Sequence, residues 1–399
     1  MIPYGRQEIT QTDIDAVTHA LQSDFLTQGP CVPQFEQAVI ARVGAKRAVA
    51  VNSATSALHI ACLALELGPG DWLWTVPNTF VASANCGRYC GAEVDFVDID
   101  PKTWNLSVVA LKDKLVLAEA SGRLPKVVVP VHFAGQPTEQ QVIRELADTY
   151  GFKVVEDASH AIGASRAGEA VGSCRWSDIT VFSFHPVKVI TSAEGGMALT
   201  NDAELAERMA MLRTHGITRD PARFLGTATS SEDASTSGSN LGPCHYEQQL
   251  LGFNYRMTDV HAALGTSQLE RVQAYVERRN MLARRYDRLL SDLPLQLPTV
   301  QAENRSAFHL YVVRIKPSAT TKTRREVFEQ LRGQGIGANV HYPPVHLQPY
   351  YRARGFACGQ FAEAEAHGKE ALTLPLYPGL TEAEQDRVVD AMRRVLRHG

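Results

Sequence analysis

From residue 33 onward, apolar positions recur in two alternating rhythms. FEQAVIARV, SATSALHIACLALEL and TEQQVIRELADTYG carry them at helical spacing. Between such stretches lie short runs rich in β-branched and aromatic residues: RAVAV, WLWTVP, EVDFVDI, KVVVPVHF, FKVVED, ITVFSF and GGMALT. Each predicts a strand. Strand and helix in exchange predict α/β architecture around a mostly parallel sheet, with ligands held in the loops at the strand ends. Further along, TDVHAALGTSQLERVQAYVERRNMLARRYDRLLSDL predicts one long bridging helix opened by a Thr/Asp cap. After it, FHLYVVRI, the helical KTRREVFEQLRGQ and IGANVHY predict a compact α+β unit. The expected division is 1–256 for a large α/β domain with an N-terminal arm, and 257–399 for the bridging helix and a smaller domain. GTATSSEDASTSGSNLG, residues 226–242, is too polar to pack and predicts a mobile loop.

Composition narrows the partners. With 40 Lys+Arg against 43 Asp+Glu, the chain of 399 residues has a formal charge of -3 and no basic surplus to neutralise a phosphate backbone. Nucleic acid is not an expected partner. No apolar run approaches the roughly 20 residues of a membrane helix, and MIPYGRQEIT lacks the layout of a signal peptide, so a cytoplasmic enzyme is expected. The seven cysteines lack CxxC spacing and predict buried free thiols, not a zinc site. Two prolines between His341 and His346 break the helix that could align them on a metal.

The candidate chemistry centres on FSFHPVKVITSAEGG, residues 182–196. Lys188 follows a predicted strand and is flanked by Val187, Val189 and Ile190, where an ammonium loses hydration and its pKa falls. A desolvated amine is a nucleophile, and the aldehyde cofactor of amine chemistry is pyridoxal phosphate (PLP). That cofactor needs a carboxylate for its pyridine nitrogen, and Asp157, ending the strand FKVVED, can supply it; an N-cap suits the same position. It needs a phosphate cradle, and VNSATSAL runs from strand to helix so that the N–H groups of Ala54 and Thr55 face an anion. A plain Ser/Thr cap explains those letters too. Ser183 can add a hydroxyl. Phe80 in PNTFVASAN offers a stacking face or a core residue, and His160 a contact to the ring oxygen or a structural imidazole.

Taken jointly, NSATSAL, EDASHAIG, FSFHPVKVITSAEGG, GFNYRMTDVHAALG and ANVHYPPVH resemble the DegT-type sugar aminotransferases across nearly the whole chain. The resemblance implies the PLP-dependent transferase fold type I, like that of aspartate aminotransferase. It also implies that Lys188 carries the Schiff base, that Asp157 pairs with the pyridine nitrogen, that Phe80 stacks, and that Ala54, Thr55 and Ser183 hold the phosphate. Asn254 would reach the phosphate of a neighbouring subunit in a homodimer. The motifs IPYGRQEIT, SDFLTQGP, HPVKVIT and HYEQQLLGFNYRMTD are most similar to the branch acting in pseudaminic acid biosynthesis. That implies transfer from L-glutamate to C4 of a UDP-linked 4-keto-6-deoxy-N-acetylhexosamine. Tyr4, Asp24, Phe25, Leu26 and Thr27 would meet the sugar nucleotide, with His309, Leu310 and Tyr311.

Three other readings compete. A related group removes a sugar hydroxyl and carries histidine in place of the Schiff-base lysine; Lys188 argues against that chemistry. A non-catalytic regulator would keep the cradle and lose turnover, yet no catalytic residue is missing. A nicotinamide enzyme would need GxGxxG after a strand, which is absent.

Overall fold

The computed structural model describes residues 1–225 and 246–397. The expected loop at 226–242 therefore lies outside the described residues. Seven strands form the main sheet in the order Arg47–Val51, Gly196–Thr200, Ile179–Ser183, Lys153–Asp157, Val127–Val129, Trp72–Thr75 and Glu93–Phe96. Gly196–Thr200 runs antiparallel to both of its neighbours, and the remaining pairings are parallel. Each of the seven corresponds to a run read in the sequence.

Helices cover both faces of this sheet, which is why nearly every residue of its central strands is buried, including polar ones such as Glu156 and Thr180. Within ITVFSF the two-residue period then sorts side chains between two cores: Ile179 and Val181 enter one, Phe182 and Phe184 the other. A third core, including Leu282, Tyr286, Val313, Leu372 and Met392, packs around an antiparallel sheet of Leu295–Gln296, Tyr311–Ile315 and Ala371–Leu374. Ile2 joins that third core and exchanges backbone hydrogen bonds with Gly335 and Gly337. The N-terminal arm thus crosses to the C-terminal part of the chain, and the Leu376 N–H donates to the Tyr4 carbonyl at 3.0 Å. That bond holds the backbone of Tyr4 in place.

The expected long helix is two helices, Asp259–Leu269 and Val272–Leu290. Thr258 caps the first through the His261 N–H. The break falls where Ser267, Gln268 and Arg271 all turn to the buried carboxylate of Asp13. Of the cysteines, Cys62, Cys86, Cys90 and Cys174 are buried as expected, whereas Cys31 is half-buried, Cys358 is exposed and Cys244 lies outside the described residues. Among the described residues no helix is long and apolar enough to cross a membrane.

Candidate active site

Parallel strands end together on one side of the sheet, and side chains at those ends converge on a cavity of about 350 Å³. Asp157 closes Lys153–Asp157 and Ser183 closes Ile179–Ser183; both line the cavity. Lys188 enters from the loop that follows Ser183. That loop is pinned by its own backbone and hydroxyls: the Lys188 N–H donates to His185 O at 2.9 Å, Thr191 Oγ1 to Phe184 O at 3.0 Å, and the Ser192 N–H to the same carbonyl at 2.9 Å. Among the described residues, the Nζ of Lys188 has no hydrogen-bond or ion-pair partner. Burial lowers its pKa to about 8, although the charge of Asp157 pulls it up. Its surface is half-buried because one side opens to the cavity.

The helix Ala54–Ala64 points its N-terminus at the same space. Ser53 caps it by accepting the Ser56 N–H at 3.2 Å, and the first amides of a helix have no partner within it. The strand Gly196–Thr200 passes so close that a Cβ on Gly196 would lie 2.4 Å from the Ala54 nitrogen. Only glycine leaves those amides clear. The preceding glycine is less strictly required, since a Cβ on Gly195 would meet side-chain ends, the Ser192 hydroxyl at 2.3 Å and the Met257 methyl at 2.5 Å.

Four imidazoles line the cavity, the exposed His185 and the buried His160, His309 and His341. Burial first, and the nearby Lys188 charge among the further causes, hold the three buried ones below the ordinary histidine pKa, His341 at about 3. Those three are therefore neutral and add no positive charge beside Lys188. The Nδ1 of His309 is buried without a partner. Phe80 also lines the cavity, 60% exposed, with its ring centroid 6.4 Å from that of Tyr342.

The structure brings together Lys188, Asp157, Ala54, Thr55, Phe80, His160, Ser183, Tyr4 and His309 around this cavity. It does not bring Leu310 and Tyr311 there. Strand alternation turns Leu310 into one core and Tyr311 into another, where the Tyr311 hydroxyl donates to Asp287 at 2.7 Å. Asp24, Phe25, Leu26, Thr27 and Asn254 are exposed and lie outside the cavity wall. The sequence reading missed Thr79, Ser83, Glu194 and Tyr342. Thr79, Glu194 and Tyr342 line the cavity, and Ser83 touches Asp157 at 2.6 Å. Tyr342 stood in plain view in ANVHYPPVH, but a Ser in a helical run gives no sign that a carboxylate 74 residues away faces it.

A poised lysine, a buried carboxylate, a glycine-cleared helix N-terminus and an exposed aromatic ring around one cavity fit PLP. On a sheet of this topology they define a PLP-dependent aminotransferase. The model of the DegT/DnrJ/EryC1/StrS aminotransferase family matches residues 7–393, and the chain belongs to that family, whose members are PLP-dependent sugar aminotransferases. It is 38% identical to the spore coat polysaccharide biosynthesis protein SpsC of Bacillus subtilis, over 99% of this chain and 97% of that one. Among solved structures it resembles Helicobacter pylori PseC, an aminotransferase of pseudaminic acid biosynthesis, with 28% identity, a TM-score of 0.87 and full coverage of both chains. The sugar aminotransferase Spr1654 of Streptococcus pneumoniae, in its pyridoxamine phosphate form, also gives a TM-score of 0.87, with 27% identity and full coverage of both chains.

Proposed function

We propose that this enzyme transfers the amino group of L-glutamate to C4 of a UDP-linked 4-keto-6-deoxy-N-acetylhexosamine. The observation that carries transamination is the convergence of Lys188 and Asp157 on one cavity beside the helix at Ala54. The full-length likeness to PseC supports the choice of sugar. The likeness to SpsC favours a second reading, amination of a different nucleotide-linked keto sugar.

When bound, PLP supplies the aldehyde that carries the amino group and a ring that takes up the electron pair left by the donor's α-proton. The chain's own residues do the rest. Lys188 Nζ, its pKa near 8, takes the α-proton from the donor and gives a proton back, base first and acid second. The same amine is the nucleophile that retains the cofactor between turnovers. Asp157 presents negative charge to the ring nitrogen. The amides of Ala54 and Thr55, with the Ser183 hydroxyl, hold the phosphate. Neutral imidazoles at 160, 309 and 341 add no positive charge beside the lysine. Asn254, exposed and outside the cavity wall, reaches the phosphate of a second copy in a homodimer.

The test is release of 2-oxoglutarate from glutamate in the presence of UDP- and dTDP-linked 4-keto and 3-keto sugars. Turnover on the UDP-linked 4-keto sugar is expected. Turnover confined to dTDP-linked sugars rejects the sugar assignment and leaves the aminotransferase intact.

A further inference from the structure

Asp157 is held from two sides. The Ser83 hydroxyl donates to its Oδ2 at 2.6 Å, and the Ser159 N–H donates to its Oδ1 at 3.1 Å. An ionised carboxylate only accepts, so the single proton of Ser83 is committed to Asp157. The 2.8 Å contact between the Thr79 and Ser83 hydroxyls is then donated by Thr79. A second acceptor for Ser83, the Phe80 carbonyl, is farther off at 3.4 Å. Thr79 and Ser83 are 3% and 0% exposed, yet Thr79 lines the cavity. The order of donation is fixed: Thr79 to Ser83 to Asp157.

Packing alone does not call for this. Alanine and valine would fill two buried sites of that size, whereas here two hydroxyls are aligned on a carboxylate of the cavity wall. Both belong to the segment that also carries Phe80, so the ring's stacking face and the ring nitrogen's partner are set by one piece of chain. We propose that Ser83 is a positioning residue for the transamination. Together with Thr79 it holds the Asp157 carboxylate in the orientation that meets the cofactor's ring nitrogen. The inference rests on the reading of Asp157 as that nitrogen's partner.

The test is titration of PLP into the full chain, followed by visible absorbance at fixed pH, with the thermal midpoint of the cofactor-free protein measured alongside. For Ser83→Ala, affinity is expected to fall about tenfold, the effect of losing one hydrogen bond to a charged group. The visible band of the bound cofactor changes, a signature that a merely structural loss of stability would not produce. Thr79→Val moves affinity in the same direction by less, and Thr79→Ser restores it. If Ser83→Ala fails to fold, the Thr79 pair decides: equal affinity in Thr79→Val and wild type overturns the relay. Wild-type affinity and band in Ser83→Ala, with both altered in Asp157→Asn, overturns the relay and leaves Asp157 in its role. Wild-type behaviour in Asp157→Asn removes the reading of Asp157 itself, and the relay with it.

Discussion

The backbone N–H of Ala134 donates to Nδ1 of His160 at 3.2 Å. With burial keeping that imidazole neutral, its proton sits on Nε2, which faces the Tyr342 hydroxyl at 3.2 Å. Tyr342 therefore accepts from His160 and keeps its own proton for the cavity. Tyr342→Phe preserves the ring and leaves the His160 Nε2–H unpaired, which is expected to cost about 1–3 kcal/mol in urea unfolding of the cofactor-free protein. A variant as stable as the parent contradicts this tautomer.

Lys188 carries a pH signature. Its folded pKa of about 8 lies below the ordinary 10.5, so between those values the unfolded chain holds a proton that the folded chain has lost. The contribution of this group to stability accordingly rises with pH across that window. Reductive methylation of Lys188, read by peptide mass, is expected to reach half its maximal rate near pH 8. Asp157→Asn removes the charge that supports the ammonium and moves that midpoint lower. A midpoint near that of exposed lysines contradicts the desolvation argument.

The close pass of Gly196 over Ala54 predicts a sharp contrast. Gly196→Ala places a Cβ against backbone atoms of Ser53 and Ala54, which do not yield as a flexible side chain would. PLP affinity by equilibrium dialysis is expected to fall at least tenfold, or roughly 1.4 kcal/mol. Gly68→Ala, where nothing lies within 4 Å, serves as the control. Equal affinities for the two variants contradict a cradle built on the Ala54 amides.

All seven strands of the main sheet were legible because each is a short apolar run bounded by turns, and burial on both faces requires that composition. Lys188 and Asp157 were legible for a related reason: a charged residue at the end of such a run stands out. What local pattern does not carry is contact between distant segments. The break at Glu270–Arg271 comes from Asp13, more than 250 residues away, and Ser83 acquires its role only when Asp157 folds against it. Only the family resemblance places Tyr311 at the substrate, and which core a strand residue enters is decided by the sheet's packing: here Tyr311 is buried against Asp287, away from the cavity.

Glu365 ties the segment 358–361 to His346. Burial opposes its charge, but the Cys358 thiol, the Gly359 N–H, His346 and the Phe361 N–H outweigh that and hold its pKa at about 2. Because this lies below the ordinary 4.5, the stabilisation is present above that value and lost as pH falls toward 2. Glu365→Gln is expected to lower stability by about 2 kcal/mol at pH 7, with the gap to the parent narrowing at pH near 3. A gap that is constant with pH contradicts the ionised carboxylate.

The central claim is that the nitrogen of Lys188 bonds the cofactor. Borohydride reduction of the PLP-loaded protein, followed by mass analysis of the peptide spanning 182–196, tests it directly. The peptide is expected to gain the mass of a reduced pyridoxyl phosphate group on Lys188. An unchanged mass, or the label on another lysine, contradicts the account.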